Sequence, residues 1–140
     1  IPGVRVVKAF AQEQREVEGS AEIKQRQRSR MRELANRRML AAVPKADLVV
    51  MNPTHFAVAL KYDEARMSAP RVVAKGAGFV AKRLVELARA SGVPVLERKP
   101  LAQALFRSVK INQEIPASLY FAVAEVLAYV YRLRRTGAAS

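Results

Sequence analysis

The chain of 140 residues contains no cysteine and a single histidine. The missing thiols exclude disulfide bridges, a cysteine nucleophile and a Cys-ligated zinc site. We also expect no bound metal and no cofactor. Long apolar runs are missing too: the longest segment without Asp, Glu, Lys or Arg spans residues 48–60, too short to cross a bilayer as a helix. No signal peptide is visible, and the start at Ile1 leads us to expect a fragment or a processed piece.

Acidic residues are scarce relative to basic ones. The chain has 25 Lys and Arg against 12 Asp and Glu, which gives a formal net charge of +13. This excess of positive charge favours an acidic partner. The candidate partners are a nucleic acid, an anionic membrane surface and an acidic protein. Hydrophobic residues make up 51% of the chain, so wholesale disorder is excluded and one domain with an attached arm is expected.

The first part of the chain predicts a long basic helix. Residues 22–42 contain neither Gly nor Pro and are mostly good helix formers. We expect Ser20 to cap its start and Pro44 to end it. Its apolar stripe is thin, which is typical of a solvated helix. The basic side chains are Lys24, Arg26, Arg28, Arg30, Arg32, Arg37 and Arg38.

Two interpretations of these basic side chains stay open. Each Lys or Arg near an anionic membrane contributes about 1 kcal/mol, so the charge would hold the helix at the membrane surface. The alternative is an ordinary solvated linker.

The rest of the chain mixes strand and helix patterns. Residues 56–62 place large side chains at alternate positions, which is typical of a half-buried strand. Helical patterns follow at residues 79–90, after Pro100 and after Pro116. The mixture predicts a small α/β layer fold. The other strand candidates are residues 47–51, 71–75 and 93–97.

The pair Asn52-Pro53 lies between two of the predicted strands. Ordinary deamidation of an asparagine needs the next backbone N–H, which proline lacks. The Asn52 side-chain nitrogen can instead attack its own backbone carbonyl, form a five-membered succinimide and release the Pro53 nitrogen. Because the reaction is intramolecular, a turn that holds the amide near attack lowers the barrier. A plain Asn-Pro turn that never breaks is the alternative.

Thr54 and His55 complete the turn. His55 is a candidate for orienting the amide or carrying a proton during cyclisation, and a turn histidine with one hydrogen bond is the alternative. Thr54 is a candidate for a hydrogen bond back to the turn backbone.

The segment Asn52-Pro53-Thr54-His55 resembles the NPTH motif of the FlhB/YscU family, the switch component of flagellar and type III secretion export gates. The similarity covers residues 18–135 and is to the cytoplasmic domain of the flagellar branch. It implies a small four-stranded sheet surrounded by about four helices and preceded by the long basic helix. Further similar segments are residues 43–47, 56–63, 67–70, 73–78, 115–116 and 123–127.

The resemblance implies one self-cleavage event between Asn52 and Pro53 rather than a turnover enzyme. Asn52 supplies the nucleophilic nitrogen and the scissile carbonyl, Pro53 is the leaving group, and Thr54 and His55 support the reaction. The pieces are expected to stay associated. The domain is expected to switch export from rod and hook substrates to filament-type ones when the hook-length ruler protein signals completion.

The resemblance also implies a place and partners. The expected place is the cytoplasmic face of the bacterial inner membrane, beside other export-gate proteins, with a transmembrane part preceding the domain and with no nucleic acid bound. Substrates are expected to dock on a small exposed apolar patch, and core or turn packing of its residues is the alternative. The patch residues are Ala69, Pro70, Ala124 and Leu127.

The N-terminus departs from the family pattern. Residues 3–15 are similar to a cytoplasmic loop helix of ABC exporters, so a fusion, a chimera and a chance match all stay open. We therefore expect an atypical segment 1–17, a basic linker helix 18–44, the self-cleaving switch domain 45–135 and a flexible tail 136–140.

Two other functions are compatible with parts of the sequence: a basic nucleic-acid-binding domain and a small nucleotide-binding enzyme. A basic nucleic-acid-binding domain explains the net charge through phosphate contacts, but aromatics are sparse in the basic segment and no DNA- or RNA-binding motif is present. Lys75-Gly76-Ala77-Gly78 mimics a phosphate-binding loop without its full pattern, so the glycines are expected to serve a tight strand-to-helix turn.

Overall fold

The computed structural model describes residues 2–53 and 55–135, with side chains from residue 20 onward. The predicted tail 136–140 lies outside the described residues. The helices are α1 (Pro2–Leu40), α2 (Gly78–Ala90), α3 (Lys99–Ser108) and α4 (Tyr120–Arg135), with 3-10 turns at Val43–Lys45 and Ala117–Leu119. The strands are β1 (Leu48–Asn52), β2 (Phe56–Lys61), β3 (Arg71–Ala77) and β4 (Val95–Glu97).

The strands form one sheet in the order β3-β2-β1-β4. Strand β1 pairs antiparallel with β2 and parallel with β4, so it lies inside the sheet with a neighbour on each side. Strand β2 pairs antiparallel with β3. The predicted α/β fold, a four-stranded sheet surrounded by helices, is confirmed.

Both faces of the sheet are covered. On one face, Ala57 and Ala59 of β2 join an apolar cluster that includes Leu84 of α2. On the other, Val58 and Leu60 join a cluster that includes residues of α3 and α4. The prediction of a half-buried β2 was therefore wrong, because its small alanines are buried beneath a helix rather than exposed to water.

Helix α1 starts much earlier than predicted. It runs through Gly19 and Ser20, so Ser20 does not cap a helix start. A glycine inside a helix costs only about 1 kcal/mol, which good helix formers on both sides offset. Ile23, Met31 and Leu34 are more than half exposed, which confirms a solvated helix. No helix among the residues with described placement is apolar and long enough to span a bilayer.

The chain divides into two units, residues 1–37 and residues 38–140. The first holds most of α1 and the second holds the sheet with its helices. The predicted boundaries at residues 17 and 44 stay predictions.

Two glycines make the turn from β3 into α2. A Cβ on Gly76 would lie 2.4 Å from Val80 Cγ1, so only glycine allows the helix to pack this closely. Gly78 has a φ of 55°, in the left-handed region that glycine adopts at low cost. These glycines therefore serve the strand-to-helix turn, as predicted.

The fourth strand is shorter than predicted because its first residues cap α2 instead. Gly92 has a φ of 74°, its N–H donates to the Arg89 carbonyl, and the Val93 N–H donates to the Ala88 carbonyl at 2.9 Å. This pair of bonds is a Schellman cap. Strand β4 consequently begins at Val95.

Candidate functional site

The Asn-Pro pair lies in the tight connection between β1 and β2. Asn52 ends β1 and pairs in register with Phe56, the first residue of β2. The His55 backbone N–H donates a hydrogen bond of 3.0 Å to the Asn52 carbonyl oxygen. This bond from residue i+3 to residue i is the closing bond of a β-turn, with proline at the favoured position i+1. Thr54 lies outside the described residues, so its predicted role stays a prediction.

The carbonyl that accepts this bond belongs to the peptide unit joining Asn52 to Pro53. Nucleophilic attack on its carbon would move negative charge onto its oxygen. A backbone N–H fixed at hydrogen-bond distance stabilises such a developing oxyanion. The His55 N–H has that position before any reaction starts.

The backbone of His55 is held by two hydrogen bonds, whereas its ring is exposed. Its carbonyl accepts a hydrogen bond of 3.1 Å from the Gly78 N–H at the start of α2. The ring is exposed and lies 6.0 Å from the Phe56 ring at a tilt of 57°. The imidazole makes no hydrogen bond to another residue that the structure describes, and its proton-transfer role stays a prediction.

An aromatic stack supports the base of the turn, and sequence reasoning missed it. The rings of Phe56 and Phe106 stack with centroids 4.5 Å apart. Lys75 on β3 donates to the carbonyls of Phe106 and Val109 at 2.9 and 2.8 Å, and its ammonium lies 5.2 Å from the Phe106 ring centre. Lys75 thus binds the carbonyl end of α3, where cations are favoured. No local pattern marks this contact, because the partners are about thirty residues apart.

A cavity of about 470 Å³ opens beside the turn. Asn52, Pro53 and His55 line one side. Helix α2 supplies the opposite side, with an apolar floor at Ala81 and Val85. Three charged side chains of the same helix complete the lining: Lys82, Glu86 and Arg89.

An ionic contact fixes the start of β1. Asp47 Oδ2 accepts a hydrogen bond of 2.7 Å from the Tyr62 backbone N–H. Arg134 of α4 lies 3.7 Å from Asp47 Oδ1 and donates to the Asp47 carbonyl at 3.1 Å. Burial, followed by the charge of Asp47, raises the pKa of the Tyr131 hydroxyl above its usual value. The far end of the β1–β2 hairpin is therefore tied to α4.

Two of the four predicted docking residues are buried in the core. Ala69 is 2% exposed and Leu127 is 4% exposed, and both belong to one apolar core cluster. The alternative of core packing is therefore correct for these two. Pro70 is half-buried, and Ala124 is exposed on α4. Whether substrates dock at these residues stays a prediction.

The predicted basic residues of α1 are all exposed. The half-buried residues at the end of the helix are the apolar Met39 and Leu40. Arg37 pairs with Glu33 at 3.2 Å, an exposed contact that adds little stability. The other basic side chains make no ion pair within the described residues. They are Lys24, Arg26, Arg28, Arg30, Arg32 and Arg38.

Comparison with known families gives one clear match. The model of the "FlhB HrpN YscU SpaS Family" matches residues 8–130. That range includes part of the segment predicted as atypical.

Curated relatives agree with this match. The flagellar biosynthetic protein FlhB of Escherichia coli K12 is 58% identical over 118 residues, covering 84% of this chain and 31% of the relative. FlhB of Bacillus subtilis is 45% identical over 123 residues, covering 88% of this chain and 34% of the relative. The chain thus spans about a third of the length of these relatives.

Solved structures show the same fold. The crystal structure of the cytoplasmic domain of FlhB from Shewanella putrefaciens has a TM-score of 0.70 and 47% identity, covering 74% of this chain and 81% of that chain. A mutated EscU C-terminal domain has a TM-score of 0.64 and 27% identity, covering 66% of this chain and 92% of that chain.

Proposed function

Because the chain belongs to the FlhB HrpN YscU SpaS family, we propose that it is the cytoplasmic switch domain of a flagellar-type protein-export gate. It cuts its own backbone once, between Asn52 and Pro53, and the cut controls which substrates the gate exports. One observation carries the proposal: the His55 N–H lies 3.0 Å from the carbonyl oxygen of the bond to be cut, in a turn clamped by paired strands.

The proposed reaction rearranges bonds within Asn52 and Pro53. The Asn52 Nδ2 attacks the Asn52 carbonyl carbon and loses a proton, which closes a five-membered succinimide. The bond to the Pro53 nitrogen breaks, and that nitrogen takes up a proton, so charge and atoms balance without a cofactor or metal. Proline has no N–H, so the competing attack that deamidates asparagine is closed. The strand pairing supplies the positioning that an intramolecular reaction needs.

His55 has two proposed roles that act through different atoms. Its backbone N–H stabilises the developing negative charge on the Asn52 oxygen. Its exposed imidazole accepts the proton from Asn52 Nδ2 and returns it to the Pro53 nitrogen as general acid. The first role survives replacement of the side chain, whereas the second does not.

The cut pieces stay together because of the position of β1 in the sheet. Residues 1–52 carry β1, and its neighbours β2 and β4 both belong to residues 53–140. Leu48, Val49 and Val50 are fully buried between the two apolar clusters. Burying each such side chain contributes about 1.5–3 kcal/mol of stability. Separation of the pieces would expose these side chains to water and would therefore cost several kcal/mol of free energy.

The gate role implies partners and a location. We place the domain at the cytoplasmic face of the inner membrane, below a transmembrane part of the whole protein and beside other export-gate proteins. Rod and hook substrates dock near Pro70 and Ala124, the accessible members of the predicted patch, and the hook-length ruler protein triggers the switch. The exposed basic residues of α1 lie against anionic lipid, at about 1 kcal/mol each.

Denaturing electrophoresis of the purified chain tests the cut. We expect pieces of residues 1–52 and 53–140 that co-elute under native conditions. Asn52→Ala removes the nucleophile and should leave one full-length band, and Pro53→Ala should slow the cut. Asn36→Ala, on the exposed surface of α1, is the matched control and should cleave like the parent. The same pieces from Asn52→Ala would show that an outside protease makes them.

Two further variants separate the finer parts of the proposal. His55→Ala keeps the backbone donor and removes the imidazole, so a longer half-life supports proton transfer and an unchanged half-life removes that role. Asn52→Ala in the full-length gate protein should allow secretion of hook-type substrates and reduce secretion of filament-type ones. Equal secretion of filament-type substrates would contradict the switch while leaving the cut intact as a reaction.

A further inference from the structure

A groove of about 660 Å³ lies against α4. Its lining residues are distant in sequence from the β1–β2 turn. Arg98, which follows β4, forms one wall. Arg132 and Arg135 of α4 line the other, with Glu125 and Tyr129 of the same helix. Three guanidinium groups therefore share one concave surface with a single carboxylate.

Arg98 is held in place before any ligand binds. Its backbone N–H donates to the Met51 carbonyl at 3.0 Å, which fixes it at the end of β1. Its guanidinium donates to the Glu97 carbonyl at 2.8 Å and lies 5.9 Å from the Tyr129 ring centre, a cation–π arrangement. The Glu97 carboxylate lies 4.0 Å from the Lys99 ammonium. The other N–H groups of Arg98 donate to no residue that the structure describes.

The arginines of α4 differ in how they are used. Arg134 is committed to Asp47, with contacts of 3.7 and 3.1 Å. Arg132 and Arg135, on the groove side of the same helix, make no ion pair with any residue that the structure describes. Of the α4 arginines, Arg134 thus has a carboxylate partner within the fold, whereas Arg132 and Arg135 line the groove without one among the described residues.

We propose that this arginine groove binds an extended acidic peptide segment of a partner protein, with carboxylates at alternate positions. The guanidinium fork matches a carboxylate through two parallel hydrogen bonds. Side chains three residues apart on a helix, such as Arg132 and Arg135, are about 5–6 Å apart. Side chains two residues apart on an extended peptide, at 3.3–3.4 Å rise per residue, are about 6.6–6.8 Å apart and on the same side. The two spacings differ by about 1 Å, a gap that the long, rotatable arginine side chains can span.

The lining favours a peptide over a nucleic acid. Val126, Ala128 and the Tyr129 ring give the groove apolar surface, and Glu125 would repel the continuous charge of a phosphate backbone. A peptide can place an uncharged residue opposite Glu125. The binding proposed here does not depend on the cut at Asn52.

Fluorescence anisotropy with a defined probe tests the proposal on the full chain. The probe is a fluorescein-labelled peptide with glutamate at every second position and serine between, and its glutamine counterpart is the ligand control. Arg98→Gln/Arg132→Gln should weaken binding at least about tenfold, which corresponds to 1.4 kcal/mol. Arg66→Gln/Arg83→Gln removes equal charge from exposed ion pairs elsewhere and should weaken binding less than about twofold.

Each alternative result would overturn the proposal. Absence of binding by the parent chain would remove the site. Equal losses in the two double variants would show that the net charge, including that of α1, attracts the peptide without a specific groove. Tighter binding of a labelled single-stranded oligonucleotide than of the peptide, lost in Arg98→Gln/Arg132→Gln, would assign the groove to nucleic acid instead. Circular dichroism melting of both double variants checks that they stay folded.

Discussion

Truncation of Leu48 to alanine is expected to loosen the hold between the two cleaved pieces. Leu48 is the first residue of β1, pairs in register with Leu60 of β2 and is fully buried. Leu48 and Leu60 lie in the same apolar cluster. After a cut at Asn52, these two residues belong to different pieces, so their contact becomes part of the interface between the pieces.

The size of the effect follows from the burial of the side chain. A buried Leu→Ala change costs about 2–5 kcal/mol, and the cost rises where neighbours cannot collapse into the cavity. The neighbours of Leu48 in the sheet are anchored by backbone pairing on both sides of β1, which limits collapse. At 1.4 kcal/mol per factor of ten, the dissociation constant of the pieces should rise from about 30-fold to several thousand-fold.

A urea-release assay measures this change directly. The cleaved protein is immobilised through a tag on residues 53–140, and the release of residues 1–52 is followed as urea increases. Leu48→Ala should release its partner at clearly lower urea than the parent. Met31→Ala is the matched control within the same piece, because Met31 is 69% exposed, and should release like the parent. Release of Leu48→Ala at the same urea concentration as the control would refute the argument that buried β1 contacts hold the pieces together.

Further predictions concern stability and pH. Gly76→Ala forces a Cβ to within 2.4 Å of Val80, so the urea midpoint should fall by an amount corresponding to about 1–3 kcal/mol, and an unchanged midpoint would contradict the close approach. Asp47→Ala leaves the partly buried Tyr62 N–H without its acceptor and removes the carboxylate beside Arg134, although Arg134 keeps its bond to the backbone carbonyl of residue 47. The change should lower stability by about 1–3 kcal/mol, whereas Asp47→Asn, which keeps an acceptor, should cost less; equal losses would contradict the role of the hydrogen bond. The raised pKa of Tyr131 means that the folded chain holds this proton more tightly than the unfolded chain, so its contribution is complete below about pH 10 and lost as pH rises through the folded pKa. Melting temperatures above pH 10 should therefore fall less steeply for Tyr131→Phe than for the parent, and identical slopes would contradict the assignment.

Local patterns were sufficient to predict the strands and the turn, whereas the four-stranded sheet was implied by the family resemblance. The alternation in residues 56–62 gave β2, and the proline after Asn52 gave the break between β1 and β2. These signals succeed because strand periodicity and proline geometry act over a few neighbouring residues. The chemistry proposed for Asn52 rests on the same two adjacent residues.

Contacts between residues far apart in the chain could not be predicted from the sequence. The hydrogen bonds from Lys75 to the carbonyl end of α3 and the stacking of Phe56 on Phe106 join distant segments of the chain. No sequence pattern links these segments. The sequence left both a docking patch and core packing open for Ala69 and Leu127, which are buried, because small and apolar residues occur equally in cores and docking patches. The early start of α1 was missed because Ser20 is a good cap by type, although helix formers surround it on both sides.

Intact-mass measurement of the chain, from fresh purification through days at neutral pH, tests the central claim most directly. Cyclisation at Asn52 adds no water, so the two pieces should first have masses that sum to the mass of the intact chain. The piece ending at Asn52 should then gain one water as its succinimide hydrolyses, and the parent mass should disappear. Persistence of the single parent mass would contradict self-cleavage, and pieces that carry an added water from their first appearance would assign the cut to hydrolysis by a protease.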